Sequence, residues 1–434
     1  MTQAILEPQE LRQYDLVLLG ATGYTGKLTA EWITTHLPAD LKWAIAGRNV
    51  RKLEAVAEEL KNLAHTRGPA IEHCTLSPSS LSSLAPRTRL LITTVGPYMH
   101  HGEPVLAACA ASGTHYLDCT GEVPWHLDMV RKYDDMARRT GAIMIPQCGL
   151  DSVPADMFAY ALVQHVRRTL GAGTSTVAMT LYALKSGLSG GTAGTAVSLF
   201  EHYPLAKLAA AFRPFSLSPA QPTCTSRPLQ GPGIAHKALG LLSVPELGGV
   251  QTTGPMATVD MCLVHRSWGL YASTDRPYGA HFRFAEYMRA RSLLTGFLIK
   301  IAFALGGLLL AFPPSRMFIA PLLRKFVIPA PGEGPSRQQM KGDFFSYKGL
   351  AIADTEGKEK VTGTLDSAFG GYETTALTLS AAASVLLGER VRETHAGRLG
   401  GGIVTPATLG EQYLQKLDEF GMHIKVASYS CSGK

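Results

Sequence analysis

The sequence predicts an α/β chain: an N-terminal open sheet of parallel strands followed by a second α+β domain on a mixed sheet. Two observations carry this. The stretch YDLVLLGATGYTGKLTAEWI (Tyr14 to Ile33) sets a glycine-rich turn between a short apolar run and a helix-like segment. Short apolar runs then keep alternating with helical spacing as far as about residue 155, the pattern of βα units in a parallel sheet. The expected boundaries are 1–155 for the first domain, 156–375 for the second with a hydrophobic segment at 293–312, and 376–434 for the C-terminal segment.

Taken in order, LVLL reads as a buried parallel strand, and residues 25–35 as the helix after it. Between them the glycines fall as GxxGxxG at Gly20, Gly23 and Gly26. Gly20 permits the tight turn, Gly23 lets backbone N–H groups approach a pyrophosphate, and Gly26 lets the helix pack closely on the strand. Ala21, Thr22, Tyr24 and Thr25 complete the phosphate-binding turn. The second strand, LKWAIAGRN, ends in Gly47-Arg48-Asn49. An NAD site usually offers a carboxylate there to the ribose 2′-hydroxyl. Arg48, with Lys52 one turn on, suits a 2′-phosphate instead, so NADP(H) is the expected cofactor. Further strands end at Gly96-Pro97-Tyr98, at Thr120-Gly121-Glu122, and at Cys148-Gly149 with Asp151 beyond. Ligands of an open α/β sheet sit at the carboxyl ends of its strands, so these tips are expected to converge on one dinucleotide crevice.

Composition narrows the class. The 434 residues exceed one small core, and 46% hydrophobic against 17% charged residues describes a globular protein rather than a disordered one. The net charge is +7, but Lys and Arg are scattered without a basic run interleaved with aromatics, so no nucleic-acid partner is expected. The seven cysteines are odd in number and lack metal-ligand spacing, which points to a reducing compartment and no metal site. The opening dozen residues carry no apolar signal core, and the closing SCSGK is no prenylation box; a cytoplasmic location is expected.

The pattern resembles the saccharopine dehydrogenase-like oxidoreductases, in particular the trans-acting enoyl reductases that serve lipid and polyketide assembly. GATGYTG, AGR, VGPY…HGEPVLAACAASGTHYLDCTGE, GLDSVPAD, SGGT (189–192), PGEGPS (331–336), GGYETTA (370–376) and GGIVTPATLGEQYLQKL (401–417) carry the resemblance across nearly the whole chain. It implies a Rossmann domain for NADP(H), a middle domain supplying the substrate pocket, C-terminal helices (376–434) packing back on the first domain, and a substrate delivered by a polyketide synthase. One departure bears on that substrate. An amino-acid substrate with several carboxylates calls for convergent cations, yet Lys185 is the only Lys or Arg between Gly171 and Phe200. An apolar or weakly polar substrate fits better.

In the second half, Thr174–Tyr182 alternates as a strand and SGGTAGTAVSLFEHY opens a helix with a small-residue face. The Pro-, Ser- and Gly-rich 212–236 is either a lid or an irregular excursion. ATVDMCLVHRSWGLY reads as a strand with His265 and Arg266 near its end, and PGEGPSRQQMKGDF as the approach to a hairpin. LLTGFLIKIAFALGGLLLAF (293–312) approaches the length of a membrane span but holds Lys300 and Gly306-Gly307; it is a buried or dimer-forming helix, a membrane- or lipid-droplet-surface contact, or a span.

Hydride transfer asks of the protein mainly positioning and one proton donor. Tyr98 is the first candidate donor, with Glu122 and Asp151 orienting the nicotinamide ribose or relaying a proton; His100, His101 and His115 are weaker candidates. No Tyr-x-x-x-Lys pair stands at the usual short-chain-dehydrogenase position. The expected function is NADPH-dependent reduction of a hydrophobic metabolite, most naturally at C=C, with C=N and C=O as the other candidate bonds. A non-redox cyclase or isomerase, or a lipid-surface scaffold keeping the dinucleotide site, is the alternative.

Overall fold

The computed structural model describes residues 9–64, 68–186, 190–231, 233–326 and 332–428. They hold fourteen strands, numbered in chain order: β1 (Tyr14–Leu19), β2 (Trp43–Gly47), β3 (Ala70–His73), β4 (Thr88–Thr93), β5 (His115–Asp118), β6 (Ile143–Ile145) and β7 (Thr174–Lys185). The remainder are β8 (Leu242–Val244), β9 (Gly249–Thr253), β10 (Arg283–Ala290), β11 (Phe344–Ala353), β12 (Lys360–Ser367), β13 (Gly402–Ile403) and β14 (Met422–Ser428). The chain divides into two units. The first comprises Met1–Val153, Pro329–Pro335 and Gly371–Phe420; the second comprises Pro154–Ile328, Ser336–Gly370 and Gly421–Lys434.

The first unit is built on a sheet ordered β13-β6-β5-β4-β1-β2-β3, parallel throughout. Strands covered on both faces must be apolar on both, and Leu16, Val17, Leu18, Leu90, Leu91 and Ile92 are fully buried. Order reverses between β1 and β4, so the switch point of this sheet lies beside the glycine turn that follows β1. Arg12 is buried just ahead of β1 and acts as a clamp. Its guanidinium donates to the carbonyls of Thr88 and Ser112, each at 2.6 Å, and to Thr114 Oγ1 at 2.9 Å. Arg87 meets both Glu72 oxygens at 3.0 and 3.1 Å, and the Tyr14 hydroxyl donates to the same carboxylate at 2.7 Å.

The C-terminal part of this unit supplies the helices Gly371–Leu387 and Gly410–Glu419. The first packs along the helix Tyr24–His36. The boundaries differ from the sequence reading at both ends of the chain's last third: the return begins at Gly371, and after Phe420 the chain leaves this unit. Its final strand, β14, pairs antiparallel with β12 of the second sheet, because its period-two alternation suits an edge strand rather than a helix.

The second unit carries the expected mixed sheet, ordered β14-β12-β11-β7-β10-β9-β8, in which only β7 and β10 are parallel. The segment ATVDMCLVHRSWGLY is a helix, Ala257–Tyr271, not the strand its apolar run suggested. It is buried on nearly every side, so it shows no amphipathic period, and a short apolar run does not distinguish a buried helix from a strand. His265 stacks on Phe215 with ring centroids 3.8 Å apart, and burial lowers its pKa to about 3. Residues Arg337–Met340 form one helical turn with a capping box between Ser336 and Gln339, where a hairpin approach was expected. The Pro-rich stretch from Phe212 is bonded into this unit: Ser226 Oγ donates to the Ser175 carbonyl at 2.8 Å and its N–H to the His281 carbonyl at 2.9 Å. Ser189, Pro331 and Cys431 lie outside the described residues.

Candidate functional site

The turn after β1 is shaped by its glycines in three different ways. Gly20 has φ +97°, and a Cβ there would stand 2.8 Å from both Thr94 Oγ1 and Val95 Cγ2. Its N–H donates to the Ala46 carbonyl at 3.0 Å, which ties the turn to the end of β2. Gly26 is buried in the first helical turn, where a Cβ would meet the Gly20 carbonyl oxygen at 2.1 Å. Gly23 is the exception. A Cβ there would touch only the Gly20 oxygen, at 3.4 Å, so the space it leaves is not filled by the protein. Gly23 is also the N-cap of the helix Tyr24–His36 and provides no side-chain cap. Helix N-terminal N–H groups without a capping side chain, beside an open glycine, suit an anionic group.

Arg48 and Lys52 are exposed at the end of β2 and the start of the helix Val50–Ala64. Asn49 Oδ1 accepts the Lys52 N–H at 3.0 Å and opens that helix. Among the described residues no carboxylate pairs with Arg48. A guanidinium beside the second strand of such a sheet fits a ribose 2′-phosphate.

The other strand tips separate into accessible and packed positions. Gly96 and Pro97 are exposed and Gly121 half-buried. Tyr98, Thr120, Glu122, Cys148 and Gly149 are buried. The Tyr98 hydroxyl, expected to face the crevice, turns inward. It donates to the Thr93 carbonyl at 3.0 Å, lies 3.3 Å from Cys119 Sγ, and its ring packs on Trp125. Burial holds its pKa well above the usual tyrosine value. Glu122 is 1% exposed and occupied by backbone: Oε1 accepts the Tyr98 N–H at 2.9 Å and Oε2 the Met99 N–H at 2.6 Å. The carboxylate thus caps the helix Tyr98–Ser112. Burial raises its pKa to about 7, against the two hydrogen bonds that favour the charged form. Asp118, at the end of β5, accepts the N–H groups of Thr120 and Gln147 at 2.9 Å each and the Tyr116 hydroxyl at 2.7 Å; burial raises it to about 6. Asp151 is half-buried, and a Cβ on Gly121 would lie 3.7 Å from its Oδ2. His115 is buried with Nδ1 accepting the Ile143 N–H at 3.0 Å, while His100 and His101 are exposed on their helix.

Several contacts at this site join residues that no sequence spacing connects. The Tyr24 hydroxyl donates to the Pro335 carbonyl at 2.5 Å, and its ring meets Tyr372 edge-on at 4.7 Å, so the distant GEGP and GGYE motifs flank the glycine turn. Thr378 Oγ1 donates to the Cys148 carbonyl at 2.9 Å, and Thr375 Oγ1 accepts the Leu150 N–H at 3.2 Å. The sequence reads as a long helix opening at GGYETTA, but its spacing gives no partner for that helix.

A parallel sheet with a glycine turn at its switch point and a guanidinium after its second strand marks a dinucleotide-binding domain of the Rossmann type. The model of the saccharopine dehydrogenase NADP binding domain matches residues 16–145. A Mycobacterium tuberculosis protein carrying the trans-acting enoyl reductase name is 32% identical over 425 residues, covering 95% of this chain and 97% of that protein. The trans-acting enoyl reductase of Mycobacterium bovis is 30% identical over 434 residues, covering 96% and 98%. Saccharopine dehydrogenase (L-Glu forming) from Saccharomyces cerevisiae overlays with a TM-score of 0.48 at 12% identity, covering 96% of this chain and all of that one. The chain belongs to the saccharopine dehydrogenase-like oxidoreductases and groups with the trans-acting enoyl reductases. It is an NADP-dependent oxidoreductase.

Proposed function

We propose that this protein reduces the C=C bond of a hydrophobic enoyl substrate of lipid or polyketide type, with NADPH as hydride donor. The observation that carries the reading is the full-length similarity to proteins named as enoyl reductases, joined to a glycine turn whose Gly23 is left open and to an unpaired Arg48. Bound at this turn, the cofactor supplies a hydride to the β-carbon, and the α-carbon takes a proton. The chain's own part is to hold and orient. Backbone N–H groups of the turn hold the diphosphate, Arg48 and Lys52 take the 2′-phosphate, and Gly96, Pro97 and Gly121 give the flat access that the rest of the cofactor needs. Ala21, Thr22, Tyr24 and Thr25 carry the turn, and Asp151 is the acid we assign to proton relay, because Tyr98 and Glu122 are committed to backbone partners. A carrier-bound thioester presented by a polyketide synthase suits the scarcity of cations around Lys185.

The test is single-turnover reaction with deuterium-labelled NADPH and medium-chain α,β-unsaturated thioesters. Label at the β-carbon of a saturated product supports the reading. Conversion of the substrate without NADPH oxidation or label would instead assign a non-redox cyclase or isomerase.

A further inference from the structure

Residues 287–330 contain six cations, Arg289, Arg291, Lys300, Arg316, Arg324 and Lys325, and no Asp or Glu. Within them lie two successive helices, Leu293–Ala311 and Pro313–Phe326, separated by Phe312. Among the described residues Leu293–Ala311 is the one helix long and apolar enough to cross a membrane, with mean hydropathy 2.2, yet only 6% of that stretch is buried. The burial expected of a core helix is absent. Its first turns are seated: Thr252 Oγ1 donates to the Gly296 carbonyl at 2.7 Å, and Lys300 Nζ donates to the Gly240 carbonyl at 2.9 Å. Beyond them Leu305, Leu308 and Phe312 stand 54%, 64% and 58% exposed. The second helix buries Ala320, is tied to Glu201 by Arg324, and leaves Met317, Phe318, Leu322 and Phe326 exposed.

Such a patch far exceeds the scattered apolar residues of an ordinary surface. Two features choose its occupant. The apolar exposure is not confined to one stripe: Phe303 lies across the helix from the Leu298-Ile301-Leu305-Leu308 row, Ala302 and Ala304 beside it are exposed too, and the next helix continues it. A protein partner covers a stripe, whereas acyl chains cover every side. The charge the two helices carry is also of one sign, with Glu201 offsetting only Arg324, so a two-fold contact with a second copy would set cations against cations. An anionic surface meets them favourably. The 19-residue helix is about 28 Å long at 1.5 Å per residue, and it can enter the acyl layer obliquely.

We propose that the two helices seat the protein on an anionic phospholipid membrane surface, with Leu305, Leu308, Phe312 and Phe318 in the acyl layer and Arg291 and Lys325 among the headgroups. The assignment is independent of the reductase reading. It is tested by flotation of the full-length protein with phosphatidylcholine vesicles, with and without phosphatidylserine. Wild type should float with the mixed vesicles, and a Leu305→Asp, Leu308→Asp, Phe318→Asp variant should lose at least about tenfold in partitioning. These side chains are exposed, so its melting temperature and NADPH affinity should match wild type. Arg291→Gln with Lys325→Gln should weaken binding to the anionic vesicles by about tenfold and leave neutral ones unaffected. Equal flotation of wild type and triple-Asp variant overturns the proposal. So does a wild-type dimer in sedimentation that the triple-Asp variant dissociates while neither protein floats, which would assign the patch to a second copy.

Discussion

Gly23 and Gly26 sit three residues apart in the same turn, and the structure gives them opposite reasons to lack a side chain. At Gly26 an added Cβ lands 2.1 Å from the Gly20 carbonyl oxygen, 2.8 Å from its carbon and 2.9 Å from Ala21 Cα. All three are backbone atoms, so the turn itself must move. Overpacking of this kind costs about 1–3 kcal/mol, and for a domain of this size each kcal/mol lowers the melting temperature by about 2–4 °C. Gly26→Ala should therefore melt roughly 2–12 °C lower and bind NADPH poorly because the turn is displaced. At Gly23 the backbone angles, φ −78° and ψ 165°, suit alanine, and the nearest atom is 3.4 Å away. Gly23→Ala should change stability little, the narrower unfolded ensemble being offset by alanine's poorer fit at an N-cap. Its methyl group nevertheless fills the space assigned to the diphosphate, so NADPH affinity should fall by at least about tenfold, or 1.4 kcal/mol. Calorimetric titration of NADPH beside thermal unfolding separates the two effects. Gly23→Ala protein that binds NADPH like wild type would refute the placement of the diphosphate on this turn.

Arg48→Ala should cost NADPH about tenfold in affinity, the lower end of a charge-assisted contact because Arg48 is exposed, and leave NADH binding unchanged. Equal losses for both coenzymes in parallel titrations would remove the 2′-phosphate assignment. Tyr98→Phe should lower stability by about 1 kcal/mol through the lost bond to Thr93 and leave the chemical step nearly intact; a drop of about a hundredfold or more in single-turnover rate would restore it as an acid catalyst. The pKa of Glu122 rises on folding from 4.5 to about 7, so the native state binds more protons than the unfolded one between those values, and stability declines as pH rises across that window. The contribution is on the order of 3 kcal/mol, and denaturant titrations of Glu122→Gln should show a shallower decline between pH 5 and 7 than wild type.

The cofactor side of the fold was legible because glycine spacing and strand-end charge are local properties. GATGYTG lies within one turn, and Arg48 follows its strand directly. The direction of Tyr98 was not legible, since its hydroxyl partners, Thr93 and Cys119, come from two neighbouring strand ends that meet only in the folded sheet. The helix Ala257–Tyr271 was misread because burial on all sides erases the period that separates helix from strand. Thr375 and Thr378 reach the β6 tip from more than 200 residues away, and no spacing rule connects them. The apolar segment at 293–312 was visible in composition, but its exposure is a tertiary fact.

Asp118, Glu122 and Tyr98 together form a buried polar bracket at this end of the sheet. Asp118 draws the N–H groups of Thr120 and Gln147 onto one oxygen, joining the ends of β5 and β6. Glu122 takes the first N–H groups of the helix after β4, and the Tyr98 hydroxyl returns from that helix to the end of β4 and to the N–H of Cys119. Three strand ends are thereby held by polar bonds inside an apolar surround, where each bond is stronger than in water and each vacancy more costly. Gly96, Pro97 and Gly121 stay accessible because the side chains beside them point into this bracket. A flat ring laid across those positions would meet a rigid backbone rather than mobile side chains, which is the condition hydride transfer places on a protein that supplies alignment. In this arrangement Asp118 and Glu122 fix the backbone at the strand ends, while Asp151 stands outside the bracket.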